Sequence, residues 1–184
     1  MDLFEVLERL GRIKRTGWIM AKIPNDIAES IAEHTLKVAF IAMVICRELE
    51  CLDEYKVLKM ALIHDLPEAL ISDIPKPIKE RLDGERLSKI SLEIVKEILG
   101  ERDLVEAYLD YSKGESLEAK IVDLADGIAT YIQSMNYRVQ YGVKTLHLEE
   151  ILKHTWNNIN EKALKINLDL NKLMKKLIGR DNQS

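Results

Sequence analysis

Apolar residues recur every three to four positions along most of this chain, the period of helices with one buried face. Leu3, Val6, Leu7, Leu10 and Ile13 form the first such stripe and predict a helix over residues 3–14. A loop is expected across Arg15-Thr16-Gly17-Trp18 and Ile23-Pro24-Asn25. Ser30-Ile31-Ala32-Glu33 then fits a capping box, in which Ser30 and Glu33 satisfy each other's backbone donors. The helix that it starts carries Val38, Ile41, Ala42, Ile45 and Leu49 inward. Asp53 is a good N-cap for a third helix bearing Val57, Met60, Ala61 and His64. Pro67 lacks a backbone donor, so that helix should break just after His64-Asp65. Further helices are expected over residues 85–99, 103–110, 117–141, 148–166 and 168–178, with Ser72-Asp73-Ile74-Pro75-Lys76-Pro77 as a stiff loop. No strand alternation with turn signals is present. The expected fold is all-α, in one domain over residues 1–184.

Composition agrees: Gly (8) and Pro (4) are scarce in 184 residues, and only 5% are aromatic. Charged residues make up 32%, yet the net charge is only −4, so no basic groove for a nucleic-acid polymer is expected. No apolar run reaches membrane-spanning length, and the N-terminal residues lack a signal peptide's basic flank. Cys46 and Cys51 lie within or just after one helix, a poor place for a staple. They are expected as reduced thiols, in an intracellular, cytoplasmic protein.

Candidate chemistry begins at His64-Asp65. An imidazole and a carboxylate in an apolar segment cost several kcal/mol to bury unless something compensates both, and a divalent cation would. At a broken helix end the backbone can turn so that both reach one ion. His34 follows the capping box directly. Asp126 lies inward on its helix, with Asp123 three residues away and able to share that face, so spacing alone does not choose between them. Two imidazoles with carboxylates suit a borderline or hard divalent ion. Glu68 follows Asp65 by three residues, and Asp73 sits in the Pro-stiffened loop. Lys76 and Lys79 could add positive charge there. Trp18 reads either as a platform for a flat ligand or as a plug between helices. His147 and His154 read as surface residues, and Trp156 as packing or an oligomer contact.

His34, His64-Asp65 and Asp126 together resemble the H…HD…D signature of the HD-domain metal-dependent phosphohydrolases. The closer likeness is to the HD-domain 5′-deoxynucleotidases. It rests on Ser30-Ile31-Ala32-Glu33-His34-Thr35, His64-Asp65-Leu66-Pro67-Glu68, Ser72-Asp73-Ile74-Pro75 and Ala125-Asp126. The motif-bearing core spans about residues 7–141, and the helices at about 148–178 carry no motif. The resemblance implies a helical HD-domain bundle that hydrolyses (deoxy)nucleoside 5′-monophosphates to nucleoside and phosphate. It implies one divalent ion, Co²⁺ or Mn²⁺ in the first place, with Mg²⁺, Ni²⁺, Fe²⁺ and Zn²⁺ as alternatives. His34, His64, Asp65 and Asp126 would bind it, which selects Asp126 over Asp123. Glu68 would direct the attacking water, and Asp73 would touch the sugar or assist proton transfer. In the family an Arg-Trp pair grips phosphate and nucleoside. Here Trp18 matches but follows Gly17, and the nearest arginine is Arg15. The resemblance also implies a homodimer. Alternatives are hydrolysis of another phosphoester, such as a cyclic nucleotide or an alarmone, or a non-catalytic nucleotide- or metal-binding module.

Overall fold

The computed structural model describes residues 2–51, 53–100 and 102–179, without the side chains of Lys76 and Pro77. The expectation that Lys76 adds charge near the site falls on one of those side chains and lies outside what is described. Among the described residues eleven helical segments follow one another: α1 (Leu3–Arg12), α2 (Thr16–Met20), α3 (Ile31–Glu48), α4 (Glu54–Ile63), α5 (Glu68–Ile71), α6 (Lys76–Lys79), α7 (Gly84–Leu99), α8 (Arg102–Lys113), α9 (Leu117–Val139), α10 (Leu146–Lys165) and α11 (Leu170–Ile178). Among the described residues there is no strand, only one isolated bridge between Lys14 and Ser30. The all-α expectation therefore holds. No helix among the described residues is long and apolar enough to cross a membrane.

Two long helices organise the bundle. α3 packs along α9 and α4, and α10 covers the other side of α9. The α3 capping box forms in full. The Ser30 hydroxyl accepts the Glu33 N–H at 3.2 Å, and the Glu33 carboxylate accepts the Ser30 N–H at 2.6 Å. The main core gathers Val38, Ile45, Met60, Leu124, Ile128 and Ile159, all fully buried. A second cluster joins Trp18, Ala21 and Ile23 to Tyr137 and Leu148.

Gly127 fixes how closely α9 and α10 approach. A Cβ there would stand 2.6 Å from Cγ2 of the buried Ile159, so only glycine fits.

Two connections differ from the sequence expectation. The segment after Arg15 is the one-turn helix α2 rather than a loop, and α6 forms inside the Pro-stiffened stretch. Cys46 and Cys51 are joined by a disulfide, not held as thiols. The reason is local. Glu50 takes a left-handed conformation (φ 50°) at the end of α3. The Cys51 N–H then bonds the Cys46 carbonyl at 2.9 Å and the Glu50 N–H bonds Arg47 at 3.3 Å, a Schellman turn. That turn brings the two positions into contact, with Cα atoms 5.0 Å apart. Free thiols therefore give no support to an intracellular location.

Candidate metal centre and substrate cleft

Three separate stretches deliver four side chains to one point. His34 comes from the first turn of α3, where the capping box fixes it. Asp126 comes from the middle of α9. His64 and Asp65 come from the break between α4 and α5, where the Leu66 N–H bonds Ile63 and the Glu68 N–H bonds Asp65, at 3.1 and 3.0 Å. These tight turns let adjacent side chains converge, which a regular helix would hold about 100° apart.

His34, His64 and Asp126 each offer a ligand atom within 4.8 Å of the others'. His34 Nε2 is 2.9 Å from Asp126 Oδ1. Asp65 Oδ2 stands 3.0 Å from His64 Nε2 and 4.0 Å from His34 Nε2. Both imidazoles are buried. Asp123, the alternative to Asp126, lies outside this group and accepts Lys162 of α10 at 2.8 Å, although it lines the same cavity.

The donor set fits a cation. His64 Nδ1 donates to the Ala61 carbonyl at 2.7 Å, which directs a neutral ring's lone pair out through Nε2. Nε2 is buried and makes no hydrogen bond among the described residues, although the Asp65 carboxylate lies beside it. A lone pair against a carboxylate oxygen is repulsive, and either a proton or a metal ion relieves it. Burial opposes charge on His64, but Asp65 and Asp126 outweigh it and push its pKa up to about 8. For the two carboxylates, burial works against ionisation. His34 and Arg15 nevertheless hold Asp126 far below the usual carboxylate range, and His64 and His34 hold Asp65 low.

Arg15 reaches this point although it does not immediately precede Trp18. Its guanidinium donates to His34 Nδ1 and to Thr130 Oγ1, both at 3.0 Å, and lies 3.8 Å from Asp126. The Lys14–Ser30 bridge sets it there: the Arg15 N–H bonds the Glu29 carbonyl at 3.0 Å. Glu29 itself was not singled out in the sequence. Its side chain is 1% exposed, accepts the Trp18 indole N–H at 3.0 Å and Lys37 at 2.7 Å, and stands 3.7 Å from Arg15. In sequence it is only an acid before a helix start, and no local signal marks it as buried. Tyr111, also unmarked, sets its ring edge-on to His64 at 5.8 Å between centroids.

A polar cavity of about 400 Å³ opens over the cluster, lined by Asp65, Glu68, Asp126, Arg15, Lys79 and Lys162 among others. Burial, then the charges of Asp65 and Asp73, push the Glu68 carboxyl up to about 9, against the pull of Arg15 and Lys79. An adjoining apolar cavity of about 360 Å³ is lined by Trp18, Met20, Pro75 and Ile151. Arg15, Asp73, Thr130, His154 and Thr155 line both, so the two are halves of one cleft. Trp18 is both wall and plug: it lines the apolar half while buried edge-on against Tyr137 at 5.2 Å. Asp73 stands at the junction, where its carboxylate accepts the Thr16 N–H at 2.5 Å and its carbonyl accepts the Thr16 hydroxyl at 2.8 Å. His147 and His154 are at the surface as expected, yet both face this cleft.

Comparison with known proteins agrees with this architecture. The family described as HD domain matches residues 7–167. Human 5′-deoxynucleotidase HDDC2 is 27% identical over 143 residues, covering 74% of this chain and 67% of its own length. The yeast 5′-deoxynucleotidase YGK1 is 27% identical over 152 residues, covering 78% of this chain and 69% of its own. A conserved hypothetical protein from Pyrococcus furiosus superposes with a TM-score of 0.74 at 30% identity, covering 96% of this chain and 95% of that one.

Proposed function

The chain belongs to the HD domain family, and we propose that it is a metal-dependent phosphohydrolase that cleaves (deoxy)nucleoside 5′-monophosphates to nucleoside and phosphate. The observation that carries this reading is the convergence of His34, His64, Asp65 and Asp126 at the polar end of a bipartite cleft, with His64 Nε2 buried and unbonded. The relatives' activity supports the substrate class.

Those four side chains would hold the divalent ion, and mixed nitrogen and oxygen donors favour Mn²⁺ or Co²⁺. When bound, such an ion supplies a Lewis acid that neutralises phosphate charge and lowers the pKa of a water. The rest falls to the chain. Arg15 and Lys79 offer positive charge to the phosphate oxygens in the polar half. Glu68 directs the attacking water. Held protonated at neutral pH by burial, then by the charges of Asp65 and Asp73, it needs compensating positive charge nearby before it can accept a proton. Asp73, at the junction of the two halves, faces the sugar. Trp18 bounds the nucleoside side.

The test is elemental analysis of the purified protein with a phosphate-release panel in Co²⁺, Mn²⁺ and Mg²⁺. Turnover of 5′-monophosphates is expected, and Glu68→Ala should abolish it while metal is retained. Activity on cyclic nucleotides alone would move the substrate class. No turnover with any ion would leave a binding module. The same reading carries a cytoplasmic location, where nucleotide pools lie, and a homodimer. Phe40 and Leu36, exposed one turn apart on α3, offer apolar surface for self-association, which light scattering would reveal.

A further inference from the structure

Helix α10 carries no sequence motif, yet one of its faces runs the length of the cleft. Ile151 lies in the apolar half, His154 and Thr155 at the junction, and Asn158 and Lys162 in the polar half. Ile151, Thr155, Asn158 and Lys162 are three to four residues apart and form one stripe, with His154 beside it. From Ile151 to Lys162 the stripe rises about 16 Å at 1.5 Å per residue. Its character changes along that length from aliphatic, through imidazole and hydroxyl, to amide and ammonium. Leu148, Leu152, Ile159 and Ala163 hold the helix to the core from the other side. The missing side chain of Gly127, next to Asp126, lets Ile159 and therefore α10 press against the metal-site helix.

A ligand matching such a gradient is anionic at one end and flat and weakly polar at the other. We propose, resting on the nucleotidase reading above, that α10 is the specificity wall of the enzyme: its Ile151–His154–Thr155 segment receives the nucleobase of the leaving group, opposite Trp18, Met20 and Pro75. The apolar half has room for it. Its volume of about 360 Å³ falls within the range of small-molecule pockets, roughly 300–1,000 Å³. Beyond the junction residues, its polar lining is His147 and Glu150 of α10. Lys162, already bonded to Asp123, marks the phosphate end of the same wall.

The experiment compares a deoxynucleoside 5′-monophosphate with 2-deoxyribose 5-phosphate, which has the same sugar and phosphate but no base. In Ile151→Trp, which fills the slot, the ratio of the two kcat/KM values should fall at least ten-fold, chiefly through KM of the nucleotide. His154→Ala, on an exposed position, should lower the same ratio in a protein whose fold is undisturbed. Equal losses for both substrates, or no loss for either, overturn the role of α10. Calorimetric titration with free deoxynucleosides needs no turnover: the wild type should bind them and Ile151→Trp should bind at least ten-fold more weakly. Absence of binding to the wild type also overturns the inference. Binding that Ile151→Trp removes, in a protein that hydrolyses no phosphomonoester, would uphold the wall and sink the catalytic reading.

Discussion

Arg15 donates a hydrogen bond to Nδ1 of His34 at 3.0 Å, on the other side of the imidazole from Asp126. A guanidinium can only donate, so Nδ1 accepts, and a neutral ring then carries its proton on Nε2, 2.9 Å from Asp126 Oδ1. That proton occupies the line along which a cation would be held. Arg15 would therefore compete with a metal ion here twice, by favouring this tautomer and by its own charge. In Arg15→Met, Mn²⁺ affinity without substrate should rise about ten-fold. The kcat/KM for nucleotide should fall about 100-fold, because the donor proposed for the phosphate is lost. Calorimetric titration and phosphate release measure the two, and a fall in both would refute the competition.

Glu68 gives a pH signature in the metal-free protein. Its carboxyl pKa rises on folding from 4.5 to about 9. Between those values the native state keeps a proton that the unfolded chain has released, so stability must fall as pH rises through the window. Glu68→Gln cannot titrate and removes this slope. In chelator, the Tm of Glu68→Gln should match wild type near pH 4.5 and exceed it by about 10 °C at pH 8. Parallel Tm profiles would show that Glu68 ionises normally.

Glu29 is a buried anion fastened by Trp18 and Lys37, with Arg15 close by. Glu29→Gln keeps its shape but removes the charge, leaving Arg15 and Lys37 less compensated. A loss of about 3 kcal/mol in urea denaturation is expected, with a shift in Trp18 fluorescence as the indole N–H changes partner. A change under 0.5 kcal/mol would mean that the network contributes shape alone.

Ser72 holds φ 61° and ψ 169°, a conformation essentially reserved for glycine, immediately before Asp73. Ser72→Gly should stabilise the protein by about 1 kcal/mol, the relief of strain less the entropy that glycine adds to the unfolded chain. The check is the midpoint of denaturation.

What could be read in the sequence was whatever local chemistry encodes. The α3 capping box, the Asp53 cap and the break at Pro67 each involve residues within four positions of one another, and all three are present. What could not be read depends on partners far along the chain. Helix α2 has no side-chain cap of its own, and the carboxylate on its first N–H belongs to Asp73, 57 residues away. Asp123 and Asp126 share a helix side in the sequence, and Lys162, 39 residues beyond Asp123, separates them. The periodicity of α10 shows that the helix is amphipathic but not what its mixed face overlooks. The Cys46–Cys51 bond needed a left-handed Glu50, a residue that seldom adopts that shape.

Because no substituent can be accommodated at position 127, the spacing of α9 and α10 has no adjustable part on the α9 side. Anyone seeking to remodel this enzyme for bulkier compounds must carve room from α2 or from the outward stripe of α10. A larger residue at 127 would jack the two helices apart and draw Asp126 away from His34 before it admitted anything new.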